Sequence, residues 1–372
     1  MKMNWLALIS DRHSHPTERY LHKWREAPSL LSPATGEMQE GDLSAVFIWL
    51  RLFAAVIFLT LFTLATIAES RVVNVAVSAR SLAQVAHYVA DQKGYYRDEG
   101  LEVRLILMNT PIAAQAVIAG NVEFTGVSGG VLPAAVGGAP LRFVFSAFYR
   151  PMFWLYARPE IGTLAALKGK KVAVSGLGSG PATLLLEHLK KHGLDGGRDL
   201  TILSLGLTPT RFAALSNGSV DAAILIPPFT FAAAEGGFRE LVSFIKEDFV
   251  ELQGSLILRE ELLKSEPLLV EKFVRGTLKG LRFARENRAA TIPILARNVR
   301  TSEDFAAKDY DGGRSAMTAD GTVDEKMQRA YLDLGIRRLG VKDSPAPEKI
   351  FDFSLTKKIL SELDSKRWKP VP

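Results

Sequence analysis

Several residues of this 372-residue chain stand in loops where side chains or backbone amides could bind a small polar ligand. Arg80 closely follows a β-branched run, and its guanidinium could pair with a carboxylate, sulfonate or phosphate; a surface arginine explains it equally well. Tyr149 stands in an aromatic-rich stretch, and two prolines before Phe229 predict a rigid, extended turn. The candidate ligand-binding residues are Arg80, Ser81, Ser128, Gly129, Tyr149, Gly178, Ser179, Gly180, Pro228 and Phe229.

A glycine-rich loop at residues 175–180 follows an apolar run and precedes a helical pattern, as a dinucleotide-binding loop would. Position 181 is proline, so the third glycine of that motif is missing, as is the lysine of a phosphate-binding P-loop. We therefore expect a tight turn that presents backbone amides to a small ligand at a helix N-terminus.

The residue types argue against enzymatic and metal-dependent chemistry. The chain has no cysteine, which excludes disulfides, thiolate nucleophiles and cysteine-ligated metals. His188 and His192 have the i, i+4 spacing of metal ligands, but lysines separate them and no third ligand is near in sequence, so a solvated helix face is expected. His87 is expected to be a partly buried structural residue, with ligand contact as the alternative. No catalytic residue, metal or cofactor is predicted, and the chain is expected not to be an enzyme.

The charge distribution bears on the kind of partner. The 46 basic and 40 acidic residues are spread along the chain and leave a net charge of +6. Because no basic block marks a nucleic-acid-binding arm, no nucleic-acid partner is expected. The mild positive balance suits an anionic ligand.

The elements that must position the candidate residues occur twice along the chain. From residue 72, and again from residue 171, the pattern predicts strand, helix, strand, helix and strand. The stretch GNVE at residues 120–123 matches GSVD at residues 218–221, at an offset of 98 residues. We predict two related βαβαβ lobes, each with a doubly wound, mostly parallel sheet, because crossover helices force parallel pairing.

This repeat predicts where a ligand would bind. In open α/β sheets, ligands bind outside the carboxyl ends of the strands. Two facing lobes would therefore bring both sets of strand-to-helix loops around one cleft. Those loops are at residues 78–81, 125–130, 176–181 and 227–229.

The N-terminal region has a different character. Residues 52–68 contain no charge, proline or glycine and are preceded by Arg51, which is typical of a secretory signal cleaved after Ala68. We assign residues 42–68 to a signal peptide or a membrane anchor, since the apolar run is only slightly shorter than the about 20 residues of a membrane span. Residues 1–41 are polar and are predicted to be a disordered extension.

The later sequence motifs resemble a known family. Residues 93–103, KGYYRDEGLEV, are similar to the KGYF..EGLDV signature of the nitrate/sulfonate/taurine-type periplasmic binding proteins, a superfamily that includes thiamine-pyrimidine-synthase-like proteins. The resemblance covers roughly residues 71–361. Further matches, in order, are residues 118–124 with L..G.VD., residues 138–141 with G.PL, residues 164–174 with L.DLKGKKVAV and residues 352–354 with D.S.

The resemblance implies an α/β, two-lobed periplasmic-binding-protein clamp of type II, in which the chain crosses twice between lobes. Lobe one would then contain residues 71–158 and 253–372, and lobe two residues 159–252. The resemblance also implies a monomeric periplasmic solute-binding protein of an ABC importer. Such a protein captures a solute and delivers it to a membrane permease with its ATPase subunits. The candidate cleft residues, one arginine among serine, glycine, tyrosine and phenylalanine, favour a small organic anion as that solute.

Two other functions remain compatible with the same fold. A thiamine-pyrimidine-synthase-like enzyme is one, although that resemblance usually brings a cysteine-rich motif that this chain lacks. A sensory ligand-binding protein held by an uncleaved anchor is the other, and it would need a separate signalling partner.

Overall fold

The computed structural model describes residues 49–51, 53, 70–339 and 345–371. Residues 69–372 form a compact unit of their own. Its strands are β1 (Arg71–Val77), β2 (Leu101–Leu107), β3 (Phe124–Thr125), β4 (Leu141–Phe148), β5 (Trp154–Ala157), β6 (Lys171–Val174), β7 (Thr201–Ser204), β8 (Ala222–Leu225), β9 (Arg239–Ser243) and β10 (Gln253–Arg259).

These strands form two sheets with the same plan. The first has the order β2-β1-β3-β10-β4 and the second the order β7-β6-β8-β5-β9. In each sheet the first three strands are parallel and the fourth is antiparallel to both of its neighbours. We call the part of the chain built on the first sheet lobe one and the part built on the second sheet lobe two. The predicted α/β clamp with two doubly wound, mostly parallel sheets is confirmed.

The antiparallel fourth strands are the places where the chain changes lobe. After β4 the chain enters lobe two at β5, and after β9 it returns to lobe one at β10. The first crossing therefore lies between Phe148 and Trp154, earlier than the boundary at residue 159 that the sequence indicated. Residues 154–157 pair with both β8 and β9, a long-range pairing that the local aromatic pattern did not reveal.

Helices cover both faces of each sheet. Pro111, Pro181 and Pro209 lie in the first turns of three of them, where the missing N–H costs no hydrogen bond. The helices are α1 (Val85–Gln92), α2 (Thr110–Ala119), α3 (Ser128–Val136), α4 (Gly180–Lys191), α5 (Thr208–Ser216), α6 (Phe229–Glu235), α7 (Glu260–Ser265), α8 (Pro267–Glu286), α9 (Arg288–Val299), α10 (Glu303–Gly313), α11 (Glu325–Leu339) and α12 (Ser354–Ser365).

The C-terminal helices complete the core of lobe one. The ring of Phe273 on α8 lies 4.3 Å from that of Phe124 on β3, and both side chains are fully buried. Full burial of one such ring contributes about 1.5–3 kcal/mol. Gly280 lets α8 approach α1 closely, because a Cβ atom there would overlap the carbonyl oxygen of Ala86. Tyr310 on α10 also joins this core and donates a hydrogen bond to the carbonyl oxygen of Ala284. The packing of α8 and α10 therefore decides which C-terminal side chains face lobe two.

Candidate functional site

A cleft lies between the two lobes, at the carboxyl ends of their parallel strands. Lobe one lines it with the segments that follow β1 and β3, and lobe two with those that follow β6, β7 and β8. The cleft holds about 880 Å³ of space, including the solvent at its mouth. Ligands of α/β proteins bind in crevices at this edge of the sheet.

Glycines bring the two walls of the cleft into contact. A Cβ atom on Gly129 of α3 would lie 2.6 Å from the backbone nitrogen of Gly180 of α4, on the opposite lobe. A Cβ atom on Gly206 would lie 3.1 Å from Oδ1 of Asn109, again across the cleft. Residues without a side chain allow this approach, so the lobes adopt a closed arrangement.

Arg211 is the principal polar side chain on the lobe-two wall. It lies on α5 and is only 4% exposed. Its Nε donates to the carbonyl oxygen of Ile224 (2.8 Å), and its terminal nitrogens donate to Thr208 Oγ1 (2.9 Å) and to the carbonyl oxygen of Gly206. Burial lowers the pKa of the guanidinium to about 10, so it stays charged at neutral pH.

The surroundings of Arg211 leave its charge uncompensated. Within the described part of the chain no carboxylate forms an ion pair with this guanidinium, and burial is the cause of its lowered pKa. A buried charge is costly unless it is paired. The lobe-two wall therefore offers a fixed cation to an anionic or carbonyl oxygen of a ligand.

The lobe-one wall carries Asp309 and Gln84. Asp309 lies on α10 and is 8% exposed, and burial raises the pKa of its carboxyl group to about 7. Gln84 ends a short 3₁₀ turn before α1, and its buried Oε1 has no hydrogen-bond partner among the described residues. Both residues line the cleft. Two acceptor side chains thus face a cation across one cavity.

Four residues predicted from the sequence do line the cleft: Ser81, Ser128, Gly129 and Gly180. Gly129 and Gly180 form the close contact between the lobes, and Ser128 donates a hydrogen bond to Oγ of Ser255 (2.9 Å). The ligand-binding role of these residues stays a prediction.

The other predicted residues lie elsewhere or have other partners. Arg80 is exposed and lines a separate depression beside α1, and Gly178 is exposed in the turn before α4. Ser179 is buried as the N-cap of α4, where its hydroxyl donates to the carbonyl oxygen of Gly176 (2.7 Å) and accepts from the backbone N–H of Ala182 (3.4 Å). Because the Ser179 hydroxyl makes these two local hydrogen bonds as a helix cap, it is not directed toward a ligand in the cleft.

The aromatic and proline candidates also lie outside the cleft lining. Tyr149 faces a groove beside α11, and its hydroxyl donates to the carbonyl oxygen of Ser315 (3.1 Å). The ring of Phe229 packs against that of Phe212, with 5.6 Å between centroids. Pro228, at the start of α6, follows a cis peptide bond.

The sequence prediction did not include Arg211, Asp309 or Gln84. The sequence did contain a pattern that could have identified Arg211. Residues 208–211 follow a strand and Pro209 begins a helix, as in the strand-to-helix loops from which the candidate residues came. No sequence pattern identifies Asp309, since α10 reaches the cleft only through its packing on lobe one.

His87 and His188 are more deeply buried than the sequence indicated, whereas His192 is exposed as expected. His188 is 4% exposed and packs edge-on against Phe244 at 5.5 Å, so the expected solvated helix face is wrong at this position. His87 is 2% exposed, and its Nδ1 lies 2.6 Å from the hydroxyl of Tyr96, which hydrogen-bonds Thr277. Burial lowers the pKa of His87 to about 4. Within residues 70–339 and 345–371, no group of three acidic or histidine side chains could hold a metal ion.

The fold and the cleft together define a periplasmic-binding-protein clamp. Residues 83–290 match the family described as NMT1/THI5 like, and the chain belongs to this family. A curated relative, the riboflavin-binding protein RibY of Chloroflexus aurantiacus, is 28% identical over 202 residues. That match spans 52% of this chain and only 57% of the relative.

Solved structures share the fold at low sequence identity. The alkanesulfonate-binding protein SsuA of Xanthomonas axonopodis, bound to MOPS, has a TM-score of 0.61 at 21% identity, covering 77% of this chain and all of its own. The periplasmic nitrate-binding protein NrtA of Synechocystis has a TM-score of 0.64 at 11% identity, covering 80% and 90% of the two chains. The resemblance to nitrate- and sulfonate-binding periplasmic proteins is confirmed.

The proposed signal or anchor at residues 42–68, and the extension at residues 1–41, fall almost entirely outside the described residues. Within the described ranges, no helix combines the length and apolar composition that crossing a bilayer requires.

Proposed function

We propose that this protein is the solute-binding component of an ABC-type importer. It would bind a small organic solute between its lobes and deliver it, chemically unchanged, to a membrane permease with its ATPase subunits. Membership of the NMT1/THI5-like family and the two-lobed clamp support this proposal. The proposal includes export to the periplasm, directed by residues 42–68, and action as a monomer.

Arg211 is the observation that carries the proposal. A guanidinium that is 4% exposed, faces a cleft and has no carboxylate partner in the described chain needs a ligand oxygen to complete its interactions. We therefore propose that the solute presents an anionic or carbonyl oxygen to Arg211. Charge-assisted hydrogen bonds of this kind are about twice as strong as neutral ones.

The lobe organisation follows from the strand order. We propose that residues 71–148, 253–339 and 345–371 act as one rigid lobe and residues 154–243 as the other. The segments at 149–153 and 244–252 would act as the hinge, because they join the sheets and belong to neither.

The test is a thermal-shift screen of the full chain, followed by calorimetry. The probes are riboflavin, MOPS, nitrate and a set of small carboxylates and sulfonates. A true solute at a hundredfold excess over its Kd stabilises the protein by about 2.7 kcal/mol. The matched variants are Arg211→Met in the cleft and Arg198→Met, an exposed position on the same lobe.

Binding that Arg211→Met weakens at least tenfold, and that Arg198→Met leaves unchanged, is the expected result. Recovery of the bound probe unchanged, by mass spectrometry, distinguishes capture from catalysis. Equal binding by both variants would place the site outside this cleft, and a chemically altered probe would favour an enzyme.

A further inference from the structure

The lobe-one wall of the cleft has a carboxylate, that of Asp309, which forms no ion pair or side-chain hydrogen bond with the described residues. Asp309 is only 8% exposed, and its burial raises the pKa of the carboxyl group. The described residues supply neither an ion-pair partner nor a hydrogen-bond donor to its side chain. Its neighbours on α10, Ala306 and Tyr310, belong to the apolar core of lobe one.

A second acceptor lies on the same wall. Gln84 is 5% exposed, and its Oε1 has no hydrogen-bond partner among the described residues. Buried acceptors without partners are rare in folded proteins, because each loses its hydration and gains no hydrogen bond in return. The Gln84 oxygen is such an acceptor, and on the same wall Asp309 has a carboxylate that is 8% exposed and lines the cleft.

The charged and titratable groups around Asp309 do not neutralise it. Burial is the main cause of the raised pKa of the Tyr88 hydroxyl; Arg80 lowers that pKa, and the nearby charge of Asp309 adds a smaller increase. Arg80 is exposed and lines the neighbouring depression rather than the cleft. On α10 itself, Asp311 is paired with Arg288 on the outer surface.

We propose that the solute carries N–H donors that bind Asp309 and Gln84, in addition to the oxygen that binds Arg211. The ligand class is then a small acid that also bears an ammonium group or the N–H groups of a nitrogen heterocycle. This inference rests on the proposed function, because it names the chemistry of the solute in the same cleft.

Such a ligand would couple binding to closure. Arg211 belongs to lobe two, whereas Asp309 and Gln84 belong to lobe one. A solute whose oxygen binds Arg211 and whose N–H donors bind the lobe-one wall makes both sets of contacts only when the lobes are closed. A ligand shifts an open–closed equilibrium only through its differential affinity for the two states, and this arrangement supplies that difference.

The test uses the full chain and two matched pairs of probes. The pairs are 4-aminobutyrate with butyrate, and orotate with 1,3-dimethylorotate; each pair keeps the acid and removes the N–H donors. Dissociation constants are measured by calorimetry for the wild type and for Asp309→Leu and Asp309→Asn. Asp311→Asn is the control, since it removes an exposed carboxylate from the same helix.

At least one donor-bearing probe should bind about tenfold to a hundredfold more tightly than its donor-free partner, as hydrogen bonds to charged groups imply. Asp309→Leu should bring that ratio close to one, and Asp311→Asn should preserve it. Asp309→Asn should weaken 4-aminobutyrate more than orotate, because an ammonium group depends on the negative charge. Since removing a buried, unpaired carboxylate stabilises the fold, the loss of binding should accompany a higher melting temperature.

Three results would overturn this inference. They are the absence of binding by both donor-bearing probes, equal binding within each pair, and a ratio that persists in Asp309→Leu. If donor-free acids bind through Arg211 without preference, only the donor requirement fails and the importer function stands. If no probe of any class binds in the cleft, the proposed function fails as well.

Discussion

The buried carboxylate of Asp309 makes a sharp prediction about stability and pH. Its pKa is raised from the ordinary 3.8 to about 7, so folding favours the protonated acid. Between those values the carboxyl group of Asp309 holds one proton more in the native state than in the unfolded state, so its contribution to stability must fall as pH rises. At about 1.4 kcal/mol for each tenfold change in protonation, the cost reaches up to about 4 kcal/mol above pH 7. Asp309→Asn should therefore be more stable than the wild type by up to that amount at pH 8, and about equal to it at pH 4.

His87 has the opposite effect in nearly the same range. Its pKa is lowered from 6.5 to about 4, so the unfolded state holds more protons and stability rises with pH across that window. In the wild type the two effects largely cancel. In Asp309→Asn the rise due to His87 should become visible, amounting to about 3 kcal/mol between pH 4 and 6.5.

The assay is urea unfolding of the full chain at half-unit steps from pH 4 to pH 8, without added solute. Asp311→Asn is the control; Arg288 holds the pKa of that carboxyl below its usual value, so its removal should act in the opposite direction. A constant difference between Asp309→Asn and the wild type across this range would refute the argument. So would a variant that is less stable than the wild type at pH 8, because Asp309 would then have a stabilising partner.

The closed arrangement makes two further predictions. Gly180→Ala should weaken binding of the tightest probe at least tenfold, because the new Cβ atom would overlap Oε1 of Glu251. Gly312→Ala is the control: its new Cβ atom would lie in open space, so the affinity measured by calorimetry should not change. Equal affinities of the two variants would show that closure tolerates the added atom. The rings of Phe231 and Phe305 stack at 5.1 Å with an interplanar angle of 16°, joining α6 of lobe two to α10 of lobe one. Phe305→Ala should speed probe dissociation about fivefold in stopped-flow measurements, as the loss of one aromatic pair implies, and an unchanged rate would mean that the pair does not hold the lobes together.

Much of the fold follows from local pattern. The strands at Arg71–Val77 and Lys171–Val174 are short, apolar runs, each followed by a loop and a helix start, and their repetition identifies two related lobes. The carboxyl ends of parallel strands meet at one edge of a sheet, so the position of the cleft could also be predicted. Such features depend on periodicity and on residues close in sequence, which is why the sequence by itself determines them.

The identity of the side chains in the cleft depends on tertiary structure. Ser179 was a sound candidate by position, but its hydroxyl caps α4, and this local competition is decided only when the helix forms. Arg80 is one residue from Ser81, yet only Ser81 lines the cleft, because the direction of each side chain depends on the backbone of that turn.

Asp309 and Arg211 show why the rest could not be predicted from sequence. They are 98 positions apart and share no motif. Asp309 reaches the cleft because the core of lobe one includes the buried faces of α8 and α10, which fold back from the C-terminal half of the chain. Arg211 reaches it from the other lobe, so the pair exists only when both lobes have folded and closed. Amino-acid sequence determined the two lobes and the place where they meet, whereas long-range packing decided which charges face each other across the cleft.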